Sequence, residues 1–246
     1  GNDGSDSVSY PARYSGVTAV TAVDAAEQHL YFANKGKEVS IAAPGYGVAV
    51  ALPGRSNSLF SGTSAAVPFV SGAVAVVLSI DGGKMKPAEA AAIVCKYSND
   101  IGEPGKDPES GSGTLNMARV MSRDRAGIYD AGIGAYIRTS DIRENEDIPV
   151  EIYVQNRGTE KLDSVGVRVE IGGKVQELSL DGIAPGVTSK KAVYVSRSGL
   201  DRTGAVTVSY MISEMPKNGY KSGDINPSDN IGSITVRRVA IENSGK

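Results

Sequence analysis

The residues most able to do chemistry lie in Ser61-Gly62-Thr63-Ser64-Ala65-Ala66-Val67-Pro68-Phe69-Val70-Ser71-Gly72. A tight Ser-Gly-Thr turn delivers Ser64 to the start of a segment, Ala65 to Leu78, that is apolar almost all the way round and so reads as a buried helix. At a helix N-terminus the unpaired backbone N–H groups and the positive end of the dipole face any negative charge that develops beside the hydroxyl. That is the outline of an acyl-transfer site. Gly62 lacks a Cβ that would block a substrate backbone, Thr63 reads as the N-cap, and Pro68 cannot donate to the carbonyl of Ser64. By spacing alone the stretch is equally a capped, buried helix without chemistry.

A serine hydroxyl is a weak nucleophile until a neighbour takes its proton. The single histidine, His29, lies in Glu27-Gln28-His29-Leu30 between two expected strands and reads as a loop residue. Asp24 and Asp81 read as turn or cap carboxylates. Asn2, in Gly1-Asn2-Asp3-Gly4, reads by itself as a turn residue.

The elements that must hold these residues follow from hydrophobic pattern. Gly16 to Asp24 and Glu38 to Ala43 read as buried strands, and Val48 to Leu52 with Ser58 to Ser61 as a hairpin across Pro53-Gly54. Beyond the Ser64 helix, Lys86-Pro87-Ala88-Glu89 opens a second helix reaching about Tyr97. Thr114 to Met121 reads as a short third helix capped near Thr114 or Gly113. The expected fold class of this half is α/β with a doubly wound parallel sheet, whose ligands bind beyond the carboxyl ends of the strands.

Past Ser122-Arg123-Asp124-Arg125 the period changes to two. Ile148, Val150, Ile152 and Val154 alternate with Pro149, Glu151, Tyr153 and Gln155, which predicts one buried and one wet face. Val165, Val167, Val169 and Ile171 do the same, and Gly172-Gly173 is a hairpin signal. With Val175 to Leu180, Lys191 to Val195, Val206 to Ile212 and Ile231 to Val236, about seven short strands argue for an all-β sandwich. The expected division is 1–122, a linker at 123–127, a β-sandwich over 128–240 and a tail at 241–246.

Composition excludes several classes. Of 246 residues, 40% are apolar and 22% charged, ordinary values for a globular chain long enough for two domains. The net charge is −2, and acidic and basic residues nearly balance in both halves, so neither nucleic acid nor an anionic membrane is an expected partner. A single cysteine, Cys95, excludes an internal disulfide and reads as a small hydrophobe. Unbroken apolar runs are short, so no membrane-spanning segment is expected.

Gly62-Thr63-Ser64-Ala65-Ala66-Val67-Pro68 resembles the nucleophile signature of subtilisin-like serine proteases (peptidase S8), Gly-Thr-Ser-x-Ala-x-Pro. Ala42-Ala43-Pro44-Gly45, Leu52-Pro53-Gly54 and Gly111-Ser112-Gly113-Thr114-Leu115-Asn116 are similar, in order and spacing, to segments around and after the family's serine. Gly1-Asn2-Asp3-Gly4 resembles the segment that carries its oxyanion asparagine. The resemblance runs from residue 1 to about 122 and implies Ser64 as nucleophile, Asn2 as oxyanion donor, and a protein or peptide substrate contacted by Tyr10, Gly62 and Thr63. Phe69 and Ala65 depart from the family's common residues at packing positions. In the family the triad aspartate and histidine precede the serine, so the resemblance implies that this chain carries only the serine and the oxyanion asparagine. It should be inactive without an upstream half of the domain, and alone should dimerise by swapping or be unstable. Calcium is frequent in the family, no ligand is assignable, and no other cofactor is visible. A secreted, periplasmic or cell-surface location is implied. The second half resembles the bacterial CARDB domain, an immunoglobulin-like module, through Val154-Gln155-Asn156-Arg157-Gly158-Thr159, Leu180-Asp181-Gly182-Ile183-Ala184-Pro185-Gly186 and Asn226-Pro227-Ser228-Asp229-Asn230. That resemblance implies adhesion or spacing, and a non-catalytic surface scaffold acting through the β-sandwich is the alternative reading.

Overall fold

The computed structural model describes residues 1–54, 56–138, 146–215, 224 and 226–238; the expected tail at 241–246 lies outside them. The chain divides into two compact units, Gly1–Arg123 and Asp124–Lys246.

In the first unit, β1 (Ala19–Val23) and β2 (Val39–Pro44) pair in parallel, and β3 (Val48–Leu52) and β4 (Ser56–Phe60) form an antiparallel hairpin. β2 gains a second neighbour at Thr114, because Ala42 N donates to Gly113 O and Leu115 N to Ala42 O, each at 2.9 Å. Thr114 therefore does not open a helix. The third helix, α3, is Met117–Ser122, capped by Asn116, whose Oδ1 accepts from Arg119 N at 3.1 Å. Gly113, at φ 111°, makes the crossing feasible, since a Cβ there would lie 1.9 Å from Asn99 O.

The long helix α1 (Thr63–Ile80) and α2 (Pro87–Lys96) complete the unit. Ala22 and Ala43 from the sheet and Ala66, Ala73 and Val77 from α1 share one core. Small side chains on both surfaces let the helix lie close to the strands. Cys95 packs at the edge of that core, and burial pushes its thiol pKa up. α1 has 18 residues at mean hydropathy 1.9, long and apolar enough by length and composition to cross a membrane, with 33% of it buried. The unbroken apolar runs within it are short, because Ser and Gly interrupt them without lowering the average much. The helix is apolar on the outside as well: Val67, Phe69, Val76 and Ile80 are exposed.

The second unit is all antiparallel β. One sheet has the order β11-β10-β7-β8 and the other β5-β6-β9, with β5 Ala131–Tyr136, β6 Ile148–Asn156, β7 Leu162–Ile171, β8 Lys174–Ile183, β9 Thr188–Val195, β10 Ala205–Glu214 and β11 Ile231–Arg237. Both sheets feed one core, in which Val150 and Ile152 of β6 and Val165, Val167 and Val169 of β7 are completely buried. β7 and β8 join at Ile171↔Lys174 across Gly172-Gly173.

The alternation expected for β6 holds only in part. Tyr153 and Gln155, placed on the wet face, are 6% and 4% exposed. Tyr153 lies across its cross-strand partner Gly134, where a Cβ would meet the ring at 2.3 Å, so a glycine gap is filled by a neighbour's aromatic ring. Residues 125–128, expected within or beside a linker, are tied to this unit: Thr159 Oγ1 donates to Arg125 O at 2.7 Å, and Gly127 N donates to Glu160 Oε1, also at 2.7 Å.

Candidate active site

Ser64 is the second residue of α1 and is exposed. The N-cap is Gly62 and not Thr63, which corrects the sequence expectation. Gly62 adopts φ 152° and ψ 163°, and its N–H donates to Gly45 O at 2.8 Å, which fastens the serine turn to the end of β2. A side chain at Gly62 would strain this backbone and bring a Cβ within 3.3 Å of Asn2 Nδ2.

Gly62 has no side chain to cap the helix, and the cap comes from Asn2, 61 residues before Thr63. Asn2 Oδ1 accepts from Thr63 N at 2.9 Å and from Thr63 Oγ1 at 3.0 Å. One of the helix's four orphan donors is thereby satisfied. Ala65 N bonds Gly62 O. Ser64 N, Ser64 Oγ and Asn2 Nδ2 make no hydrogen bond to the described residues. The site therefore presents a serine hydroxyl, a backbone N–H at the positive end of an 18-residue helix and a side-chain amide held by its own oxygen.

Asn2 is held in turn by Asn34, a residue the sequence reading passed over. Asn34 is 5% exposed; its Oδ1 accepts from Asp3 N at 2.8 Å and Ser5 N at 3.3 Å, and its Nδ2 donates to Ser7 O at 3.1 Å and Ser9 Oγ at 3.2 Å. With Asn34 N donating to Gly1 O at 3.0 Å, one side chain and its own amide shape residues 1–9. No periodicity marks it in the sequence. An asparagine after Phe32-Ala33 looks like any loop residue until the chain folds around it.

His29 does not meet Ser64. Its Nε2 lies 3.2 Å from Thr21 Oγ1, its backbone bridges Val23, and burial lowers its pKa. Asp24 Oδ1 accepts from Ala26 N and Gln28 N at 2.8 and 2.9 Å, and Asp81 ends α1 and accepts from Met85 N. Tyr10 is 64% exposed and packs on Tyr14, with ring centroids 4.6 Å apart.

Residues 1–113 match the subtilase family, the peptidase S8 model. The subtilase-like segment is 42% identical over 83 residues to a subtilisin of Bacillus pumilus, an alignment covering 32% of this chain and 30% of the relative. Halolysin of Haloferax mediterranei is 36% identical over 125 residues, 50% of this chain and 23% of its own length. The chain thus spans less than a third of these relatives. Among solved structures, the self-cleaved protease domain of PatA is 29% identical with a TM-score of 0.45, covering 50% of this chain and 46% of that one.

Proposed function

We propose that the subtilase-like segment is the serine-bearing part of a subtilisin-like serine endopeptidase, with a partial doubly wound sheet. The observation that carries this reading is the split of the Asn2 amide: Oδ1 is committed to Thr63 while Nδ2 stays available next to the N-terminus of the Ser64 helix. In the proposed reaction Ser64 Oγ attacks the scissile carbonyl, and Asn2 Nδ2 and Ser64 N–H donate to the oxyanion of the tetrahedral intermediate. An acyl-enzyme on Ser64 forms as the amine leaves, and water then releases it. Gly62 and Thr63 line the approach of the peptide backbone, and Tyr10 borders the pocket for a substrate side chain.

No base reaches Ser64 among the described residues, so the proton acceptor and its orienting carboxylate are assigned to an upstream half of the same domain. That half would also cover the exposed outer face of α1, and this chain alone is inactive in this reading. The second unit, two antiparallel sheets around one core, is proposed as an immunoglobulin-like module of the CARDB type acting in adhesion or spacing, and the location as secreted, periplasmic or cell-surface. The rival reading, a non-catalytic scaffold, is favoured by the missing base.

Fluorophosphonate labelling of the intact protein, upstream half included, and of its Ser64→Ala variant separates the two. The peptidase reading expects label on the former only; no label on either supports the scaffold.

A further inference from the structure

Three carboxylates meet in the second unit. Asp130 directly precedes β5, Asp224 follows β10, and Asp229 ends a 3-10 turn, Pro227–Asp229, just before β11. One oxygen from each lies within 4.8 Å of the other two. Asp130 is only 6% exposed, and its Oδ1 and that of Asp229 are buried without a donor among the described residues. The two oxygens of Asp224 are placed by the backbone, accepting from Ala131 N at 3.1 Å and from Asn226 N at 2.8 Å. Arg157 is ion-paired to Asp229.

Three ionised carboxylates facing one guanidinium leave two negative charges in a largely buried space, an arrangement that is costly unless something neutralises it. We infer that Asp130, Asp224 and Asp229 form a binding site for one hard divalent cation of the calcium class. The donors are all carboxylate oxygens, which suit calcium, and their spacing is one that an ion bound at about 2.3 to 2.6 Å can bridge. The unpartnered oxygen of the buried Asp130 is the observation beyond the cluster itself. An ion here ties the first strand of one sheet to the turn entering the edge strand of the other, so its role is to clamp the two sheets at that end. The groups facing it are Asp224, Asp229 and Arg157, and in the ion's absence a proton takes its place, for burial and the carboxylates of Asp224 and Asp229, opposed by Arg157, push Asp130 up to about 7.

Isothermal titration of the full chain with calcium chloride, above pH about 7, tests the site. One equivalent is expected to bind, to raise the melting temperature relative to chelator, and to slow hydrogen exchange in β5 and β11. Asp130→Asn and Asp229→Asn should each lose that equivalent. In chelator Asp130→Asn should melt no lower than the parent, because it removes a repelled charge, and so its loss of binding does not reflect unfolding. No calcium-dependent shift, or an equivalent that survives in both variants, overturns the proposal.

Discussion

The amide of Asn2 divides between two partners: Oδ1 is bound to Thr63, and Nδ2 is left over beside Ser64 N. Asn2→Ala removes both the helix cap and the proposed donor. In the proposed peptidase kcat should fall about 10²- to 10³-fold, the loss known for one oxyanion donor in subtilisin, and stability by about 1 kcal/mol for the lost cap. Asn2→Asp keeps the acceptor for Thr63 and removes the donor, so steady-state kinetics should show a comparable loss of kcat with little change in melting temperature. Asp130 makes a prediction of the opposite kind. Its carboxyl titrates near 7 in the folded chain and near 4 unfolded, so the folded state holds the proton more tightly. The resulting stability is fully present below pH about 4 and is lost as pH rises through about 7. Denaturant unfolding in chelator should show the second unit weakening from pH about 5 to about 8, and Asp130→Asn should flatten that slope.

The serine-bearing element depends on a turn that the helix itself does not encode. Gly62→Ala forces a side chain into φ 152° and against Asn2, and should cost about 1 to 3 kcal/mol by thermal unfolding while displacing the amide. Asn34→Ala releases the bonds that shape residues 1–9. Hydrogen exchange at residues 3–7 should become faster, and in the proposed peptidase steady-state kinetics should show a lower kcat although Asn34 does not touch substrate. In the second unit Asn156 has the corresponding place: completely buried, its Nδ2 donates to Glu160 O and Ile183 O, both at 2.8 Å, and its Oδ1 accepts from Gly158 N at 3.0 Å. Asn156→Leu strands three backbone groups and should destabilise that unit by more than about 2 kcal/mol in denaturant titration. The Asn-x-Gly turn is visible in the sequence; that its asparagine reaches Ile183 O is not.

At the scale of the whole molecule, Val67, Phe69, Val76 and Ile80 leave the outer face of α1 apolar and exposed. An apolar helix face left in water favours association. Light scattering should find the chain self-associating, and Val76→Lys with Ile80→Lys should reduce that association. A monomeric parent that melts cooperatively in both units would contradict the prediction.

Residue order by itself determined where the pattern changes from helical to period two near residue 123, which runs are strands, and that Ser64 opens a long apolar helix after a glycine turn. These are local properties, carried by spacing, by Gly and Pro, and by the side chains a segment must bury. Only the tertiary structure decided that Gly62 caps α1 and that the cap's acceptor comes from Asn2, because a hydrogen bond between residues 61 apart leaves no trace in local pattern. It likewise decided that Thr114 joins the sheet as Ala42's neighbour, since a partner strand can override the helix propensity of a short segment. And it alone brought Asp130, Asp224 and Asp229 to one place, where burial and mutual repulsion give three ordinary turn residues a shared property that none has alone.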